Sequence, residues 1–111
     1  MDPLLLSDRE WAAVAPRLPR RRPTGRPRAD DRQCLEAVLW MLLNGARWQD
    51  LPRGGAAPVT AWRRLRHWQG TGAWPRIWLA YLGSLDAAGR KRWSRALLKV
   101  AFVPAHQAQR R

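Results

Sequence analysis

The sequence predicts an all-α fold, a small helix-turn-helix-like bundle of about four to five helices with an unpaired β-prone C-terminal segment. Apolar residues recur at helical spacing in several separate stretches, which is typical of amphipathic helices around one core. Residues 7–10 and 30–33 match the capping-box pattern that begins helices. A chain of 111 residues with 46% hydrophobic composition is long enough for one small domain.

The first helix is predicted to begin at Ser7, because the side chains of Ser7 and Glu10 satisfy each other's exposed backbone donors. Its apolar positions follow at helical spacing and are Trp11, Val14, Ala15 and Leu18. Pro16 removes an intrahelical hydrogen bond, so we expect the regular helix to end or kink near Ala15.

Residues 19–29 are predicted to be a basic linker or arm, since Pro19–Arg28 contain three prolines and five arginines. Within them, Gly25–Arg28 is similar to hooks that insert arginine into the narrow minor groove of A·T-rich DNA. We therefore assign Arg26 and Arg28 to contacts with the DNA backbone or minor groove. A solvated linker is the alternative interpretation.

The second helix is predicted to start at Asp30 or Asp31 and to end at Gly45. Its broad apolar face is typical of the central helix of a bundle and comprises Cys34, Leu35, Val38, Met41 and Leu42, flanked by Leu39 and Trp40. A short helical turn at Trp48–Pro52 and a glycine-containing turn at Arg53–Pro58 follow. This order matches a helix-turn-helix module in which the next helix is basic.

That next helix, Thr60–Gln69, is basic and amphipathic, with Thr60 predicted as its N-cap. One arc of about 120° is predicted to face the core and holds Ala61, Trp62, Leu65 and Trp68. The opposite arc is predicted to bind an anion and holds Thr60, Arg63, Arg64, Arg66 and His67. A surface helix with a solvated basic face is the alternative.

A further helix carries an apolar stripe that we assign to the core, with Pro75 in its first turn and Gly89 as its stop. The stripe consists of Trp74, Ile77, Trp78, Tyr81, Leu82 and Leu85. The run Ala96–Val103 then predicts a β-strand without a partner.

The net charge of +13, from 21 basic and 8 acidic residues, indicates a polyanionic partner, with nucleic acid as the first candidate. Because GC-rich codon usage also produces arginine-rich chains, the positions of the arginines carry more weight than their number. The single cysteine, Cys34, excludes an intramolecular disulfide and predicts a cytoplasmic protein. Binding to DNA would make this protein nucleoid-associated. No apolar run predicts a signal peptide or a membrane span.

Over residues 4 to about 106, the chain resembles the N-terminal domain of bacterial transposases of the insertion-sequence-five type, within the DDE superfamily. The residues that carry the resemblance are Leu6-Ser7-Asp8 with Glu10-Trp11, Gly25–Arg28 with Asp30, Trp40, Gly45, Trp48–Pro52, and Arg63–Trp68 with Gly72 and Trp74. The resemblance implies a domain that binds the terminal inverted repeats of the element. It also implies a following ribonuclease H-like domain, whose three carboxylates hold two divalent metal ions.

The chain departs from that family in two places. The position matching the first catalytic aspartate is Lys99, which cannot ligate a metal ion as a carboxylate does, and no counterpart of the other two carboxylates follows. Before the basic helix, Gly55–Val59 replaces an aromatic-glycine-proline-tryptophan-serine pattern. We therefore expect no catalysis by this chain alone and no cofactor or metal. We divide it into a helical DNA-binding domain at 1–90 and a catalytic-domain remnant at 91–111.

Together these features predict sequence-specific binding of double-stranded DNA, without a membrane or small-molecule partner. Arg63, Arg64 and His67 are the predicted groove contacts, with Arg66 and Thr60 beside them. Two alternatives remain open. The chain is a protein-interaction module or inhibitor that pairs with a full-length transposase or with itself, or it is a decayed fragment without a function.

Overall fold

The computed structural model describes residues 6–19, 30–45 and 47–96, which form five α-helices and no β-strand. The helices are α1 at Asp8–Val14, α2 at Asp31–Asn44, α3 at Pro58–Thr71, α4 at Ala73–Ser84 and α5 at 87–96. Short 3-10 turns lie at Ala15–Arg17 and Trp48–Asp50. The all-α fold predicted from the sequence is confirmed. The predicted strand lies outside the described residues except for Ala96, which is helical.

The start of α1 is the capping box predicted from the sequence. The Ser7 hydroxyl accepts a hydrogen bond from the Glu10 backbone N–H at 3.0 Å, and the Glu10 carboxylate accepts one from the Ser7 backbone N–H at 3.0 Å. The helix ends at Val14 and tightens into a 3-10 turn that contains Pro16. Proline has no backbone N–H, so it cannot donate the hydrogen bond that would continue the α-helix.

Helix α2 has the predicted caps at both ends. The Asp30 carboxylate accepts a hydrogen bond from the Arg32 backbone N–H at 2.8 Å, and Gly45 ends the helix in the left-handed conformation at φ 59°. The apolar face is buried except for Leu42, whose side chain is 42% exposed, so its predicted place in the core is wrong. Leu39, predicted to flank that face, is fully buried, which shows that the core lies on that side of the helix.

The end of α4 differs from the prediction. The helix stops at Ser84, and Gly89 lies inside α5 instead of ending α4. The Asp86 carboxylate accepts a hydrogen bond from the Gly89 backbone N–H at 2.8 Å, which is the geometry of a helix N-cap. The apolar stripe therefore stops at Leu85, and the local capping residue decides where the next helix begins.

The core forms where α4 packs against α1 and α3, and α3 packs against α2. Its largest fully buried side chains are Trp68, Trp93, Tyr81, Leu35, Leu39 and Ile77. Trp93 comes from α5 and lies edge-on to Tyr81, with ring centroids 5.8 Å apart. Helix α5 is thus part of the same core, and residue 90, where we predict the domain boundary, lies inside it.

Candidate nucleic-acid interface

The basic helix α3 begins two residues before the predicted N-cap. Pro58 is its first residue and Ala57 its N-cap, so Thr60 lies inside the first turn and is not the cap. Proline suits this position because its φ is already helical and the N–H that it lacks has no partner there in any case. The first helical hydrogen bond runs from the Ala61 N–H to the Ala57 carbonyl at 2.9 Å.

The face of α3 that enters the core is rotated by about 60° around the helix axis from the predicted one. The buried residues are Ala61, Arg64 and Trp68. Trp62, predicted to face the core, is 43% exposed, and Arg64, predicted to face outward, is only 8% exposed. Both of these placements were wrong.

The burial of Arg64 is explained by an acidic side chain that pairs with it inside the bundle. Its guanidinium forms an ion pair and hydrogen bond with the carboxylate of Asp31, in the first turn of α2. Both side chains are largely shielded from solvent, which strengthens their attraction. Arg64 therefore ties α3 to α2 instead of presenting its charge at the surface.

Stacked tryptophans join α3 to α4. The indole of Trp68 on α3 stacks on that of Trp74 on α4, with an interplanar angle of 3° and ring centroids 6.4 Å apart. Trp74 in turn stacks on Trp78, at 6.0 Å. Gly72, at φ 79°, is both the C-cap of α3 and the residue before α4. With these contacts and the ion pair, the outward face of α3 has a fixed direction.

That outward face combines cations with apolar side chains. Arg63, Arg66 and His67 are exposed, as predicted, and Thr60 is half-buried at the edge. Val59 and Trp62 lie among them and are 59% and 43% exposed. The guanidinium carbon of Arg66 lies 5.1 Å from the centroid of the Trp62 ring, a cation–π contact.

The residues near this face in the sequence carry positive charges and no negative ones. The sequence contains no Asp or Glu between Asp50 and Asp86, whereas Arg53, Arg63, Arg64, Arg66 and Arg76 all fall within that stretch. Within the part of the chain that the structure describes, neither Arg63 nor Arg66 forms an ion pair with a carboxylate. Among the described residues, Arg63 and Arg66 therefore give the outward face of α3 a net positive charge.

The chain is similar to known proteins of one family. The family model described as "Putative transposase of IS4/5 family (DUF4096)" matches residues 6–78. The chain belongs to this family. It is also 36% identical, over 108 residues, to "Insertion element IS402 uncharacterized 16.2 kDa protein" of Burkholderia cepacia, in an alignment that covers 91% of this chain and 74% of the relative. No solved structure matches the chain.

This membership confirms the resemblance to insertion-sequence transposases. The part matched by the IS4/5 family model contains α1, α2, α3 and the first half of α4, so the α3 face lies within it. Arg26, Arg28 and Lys99 lie outside the described residues, and the predictions made for them stay predictions. In the described ranges, no group of His, Cys, Asp or Glu side chains is arranged to hold a metal ion. No helix there has the length and hydropathy needed to cross a bilayer.

Hydropathy did not predict that Val59 and Trp62 would share a face with the arginines. Hydropathy alone places an indole inside and a guanidinium outside, whereas Asp31 reverses this for Arg64. The helix start at Pro58 was the available local signal, because it places Val59 within the helix.

Proposed function

We propose that this transposase-family chain binds duplex DNA through the outward face of α3 and has no catalytic activity by itself. The observation that carries the proposal is the exposed pair Arg63 and Arg66, which no carboxylate in the described residues neutralises. A surface of this kind attracts the phosphates of DNA and releases their counterions. The target that fits the family is the terminal inverted repeat of an insertion element.

The dimensions of α3 suit the major groove. Its 14 residues span about 21 Å, and a helix of ordinary diameter enters that groove. In the proposal, Arg63 and Arg66 contact guanine edges or phosphates, with His67 and Thr60 beside them. Arg64 has a different role from the predicted one, since it orients α3 through Asp31.

The arrangement of α2 and α3 supports a helix-turn-helix-like mode of binding. The two helices pack together, and their connection, residues 45–57, contains a 3-10 turn. This connection is longer than the three to four residues of the usual motif. In the proposal, α2 lies across the DNA backbone while α3 contacts the bases. Arg26 and Arg28 remain the proposed arm contacts.

The absence of catalysis rests on the sequence. In the resemblance, Lys99 occupies the position of the first catalytic aspartate. The proposed catalytic-domain segment from residue 91 onward therefore lacks this carboxylate, and its first residues belong to α5 and the helical core. A lysine would repel the divalent ions that this chemistry needs. We further propose that the protein acts in the cytoplasm, on the nucleoid.

The test is a fluorescence-anisotropy titration of the chain with a labelled duplex of the inverted repeat flanking its gene and with a scrambled duplex, over a series of salt concentrations. We expect preference for the repeat to persist near physiological salt. Arg63→Ala should weaken binding, and Arg9→Ala, which removes an exposed arginine from α1, serves as the matched control. Equal binding of both duplexes that vanishes with salt would contradict the proposal and favour a decayed fragment.

A protein-interaction role is the second candidate, because the exposed Val59 and Trp62 also suit an apolar partner. In that case the chain pairs with a full-length transposase or with itself. Such an interface would depend little on salt, whereas DNA binding loses about 0.9 in log K per phosphate contact for each tenfold rise in salt. Sedimentation of the chain alone and with the full-length enzyme, at low and high salt, separates the two candidates.

A further inference from the structure

We propose that Val59 and Trp62, here called the apolar strip, recognise thymine methyl groups in the DNA target. This inference rests on the proposed function, and it adds a chemical basis for sequence preference. The arginines contact phosphates and guanines, whereas the apolar strip distinguishes thymine from cytosine and from uracil, which lack the C5-methyl group.

The position of the apolar strip within α3 supports this role. Val59 is the second residue of the helix and Trp62 lies one turn later, so both are in its N-terminal half. In helix-turn-helix proteins the N-terminal residues of the recognition helix contact base edges. Arg63 and Arg66 lie on the same side of the helix and are exposed together with the strip.

The side chain of Arg66 orients the Trp62 ring for contact with a thymine methyl group. Its guanidinium lies over the indole ring, 5.1 Å from the centroid, which restricts the ring and keeps a cation beside an apolar surface. The major groove offers the same combination, because thymine methyl groups lie between two rows of phosphates. Trp62 therefore offers an apolar surface to the methyl groups, and Arg66 offers a cation to the phosphates.

Charge complementarity favours DNA over an apolar protein surface as the occupant. A protein partner that covered Val59 and Trp62 would also cover Arg63 and Arg66, and it would have to supply carboxylates for them. Duplex DNA supplies negative charge along its whole length. The exposed Leu79, in contrast, lies on α4 and serves as a comparison for simple apolar exposure.

The experiment uses the duplex that the chain prefers and a second duplex in which every thymine is replaced by deoxyuridine. This change removes only the C5-methyl groups. For the wild-type chain we expect affinity to fall by about fourfold for each methyl group that the strip contacts. Trp62→Ala should bind the thymine duplex about tenfold more weakly and should lose most of its response to deoxyuridine. Leu79→Ala should behave like the wild type.

Three results would overturn the inference. If the wild type binds the two duplexes equally, methyl groups are not recognised. If Trp62→Ala keeps the full response to deoxyuridine, Trp62 does not recognise the methyl groups, and the apolar strip as defined does not account for the preference. In both cases Arg63→Ala still tests the proposed function, which can survive. If the chain binds no duplex at all, the proposed function and this inference fail together. Far-UV circular dichroism of each variant checks that α3 remains folded.

Discussion

Arg64 of α3 and Asp31 of α2 form an ion pair that lies almost entirely inside the bundle. The pair connects the middle of the basic helix to the first turn of the helix that it packs against. Because Arg64 points inward, the residues on the opposite side of α3 point outward, and these are Val59, Trp62 and Arg66. One buried arginine thus sets the composition of the candidate interface.

The first prediction concerns this pair. Arg64→Ala removes the guanidinium that pairs with the largely buried Asp31 carboxylate, so we expect the free energy of unfolding to fall by about 3–5 kcal/mol. Urea denaturation followed by circular dichroism measures the change. Arg63→Ala removes an exposed arginine next to it and should change stability by no more than about 0.5 kcal/mol.

A double variant separates loss of the pair from general disruption. Asp31→Ala together with Arg64→Ala removes both charges, and it should be more stable than Arg64→Ala alone. Equal urea midpoints for wild type and Arg64→Ala would show that the pair does not hold α3 in place.

Much of the fold follows from local chemistry. Helix ends are determined by short-range contacts: the capping box of Ser7 and Glu10 begins α1, Asp30 caps the start of α2, and Gly45 ends it. Each of these ends can therefore be predicted from the few residues around it. Gly89 shows the limit, because a glycine marks a helix end only where the adjacent cap agrees.

The orientation of α3 was not predictable in the same way. It depends on Asp31, which is 33 residues away from Arg64 and meets it only after the bundle has formed. The helical spacing of the basic residues predicted an exposed cationic face, and Arg63, Arg66 and His67 occupy it. Which apolar residues would join them required the three-dimensional arrangement.

The second prediction compares two tryptophans of α3. Trp62 is 43% exposed and Trp68 is 1% exposed. We expect Trp62→Ala to destabilise the fold by less than about 1 kcal/mol, and Trp68→Ala by about 3–5 kcal/mol because it also ends the stacking on Trp74. Thermal denaturation of the two variants provides the comparison. If the two variants lost similar amounts of stability, Trp62 would have to face the core.

The third prediction concerns the DNA contact of Arg63. If its guanidinium contacts a base edge, Arg63→Ala should cost about 1–3 kcal/mol of binding free energy and relax the preference at one base pair. If it contacts a phosphate, all sequences should weaken alike, and the slope of log K against log salt should fall by about one. Anisotropy titrations with single-base variants of the duplex distinguish these outcomes. No effect in either measurement would remove Arg63 from the interface.

The fourth prediction concerns pH and the Tyr81 hydroxyl, which accepts a hydrogen bond from the Trp93 Nε1–H at 2.9 Å. Burial raises the pKa of Tyr81 above its usual value of 10.0 and outweighs the hydrogen bond, which favours the anion. The unfolded chain therefore loses this proton at a lower pH than the folded chain. Neutral Tyr81 contributes its full stability below about pH 10, and that contribution is lost as the pH rises through the folded pKa.

Tyr81 is the single tyrosine of the chain, so the absorbance change of tyrosinate reports on this residue alone. We expect its absorbance titration in the folded protein to lie at higher pH than in urea, and urea stability to decline above about pH 10. Tyr81→Phe should remove this part of the decline, while costing about 1–3 kcal/mol at neutral pH because the Trp93 indole N–H loses its acceptor. Coincident titrations of the folded and unfolded chains would mean that the hydroxyl is hydrated, and that α5 does not cover it as Trp93 indicates.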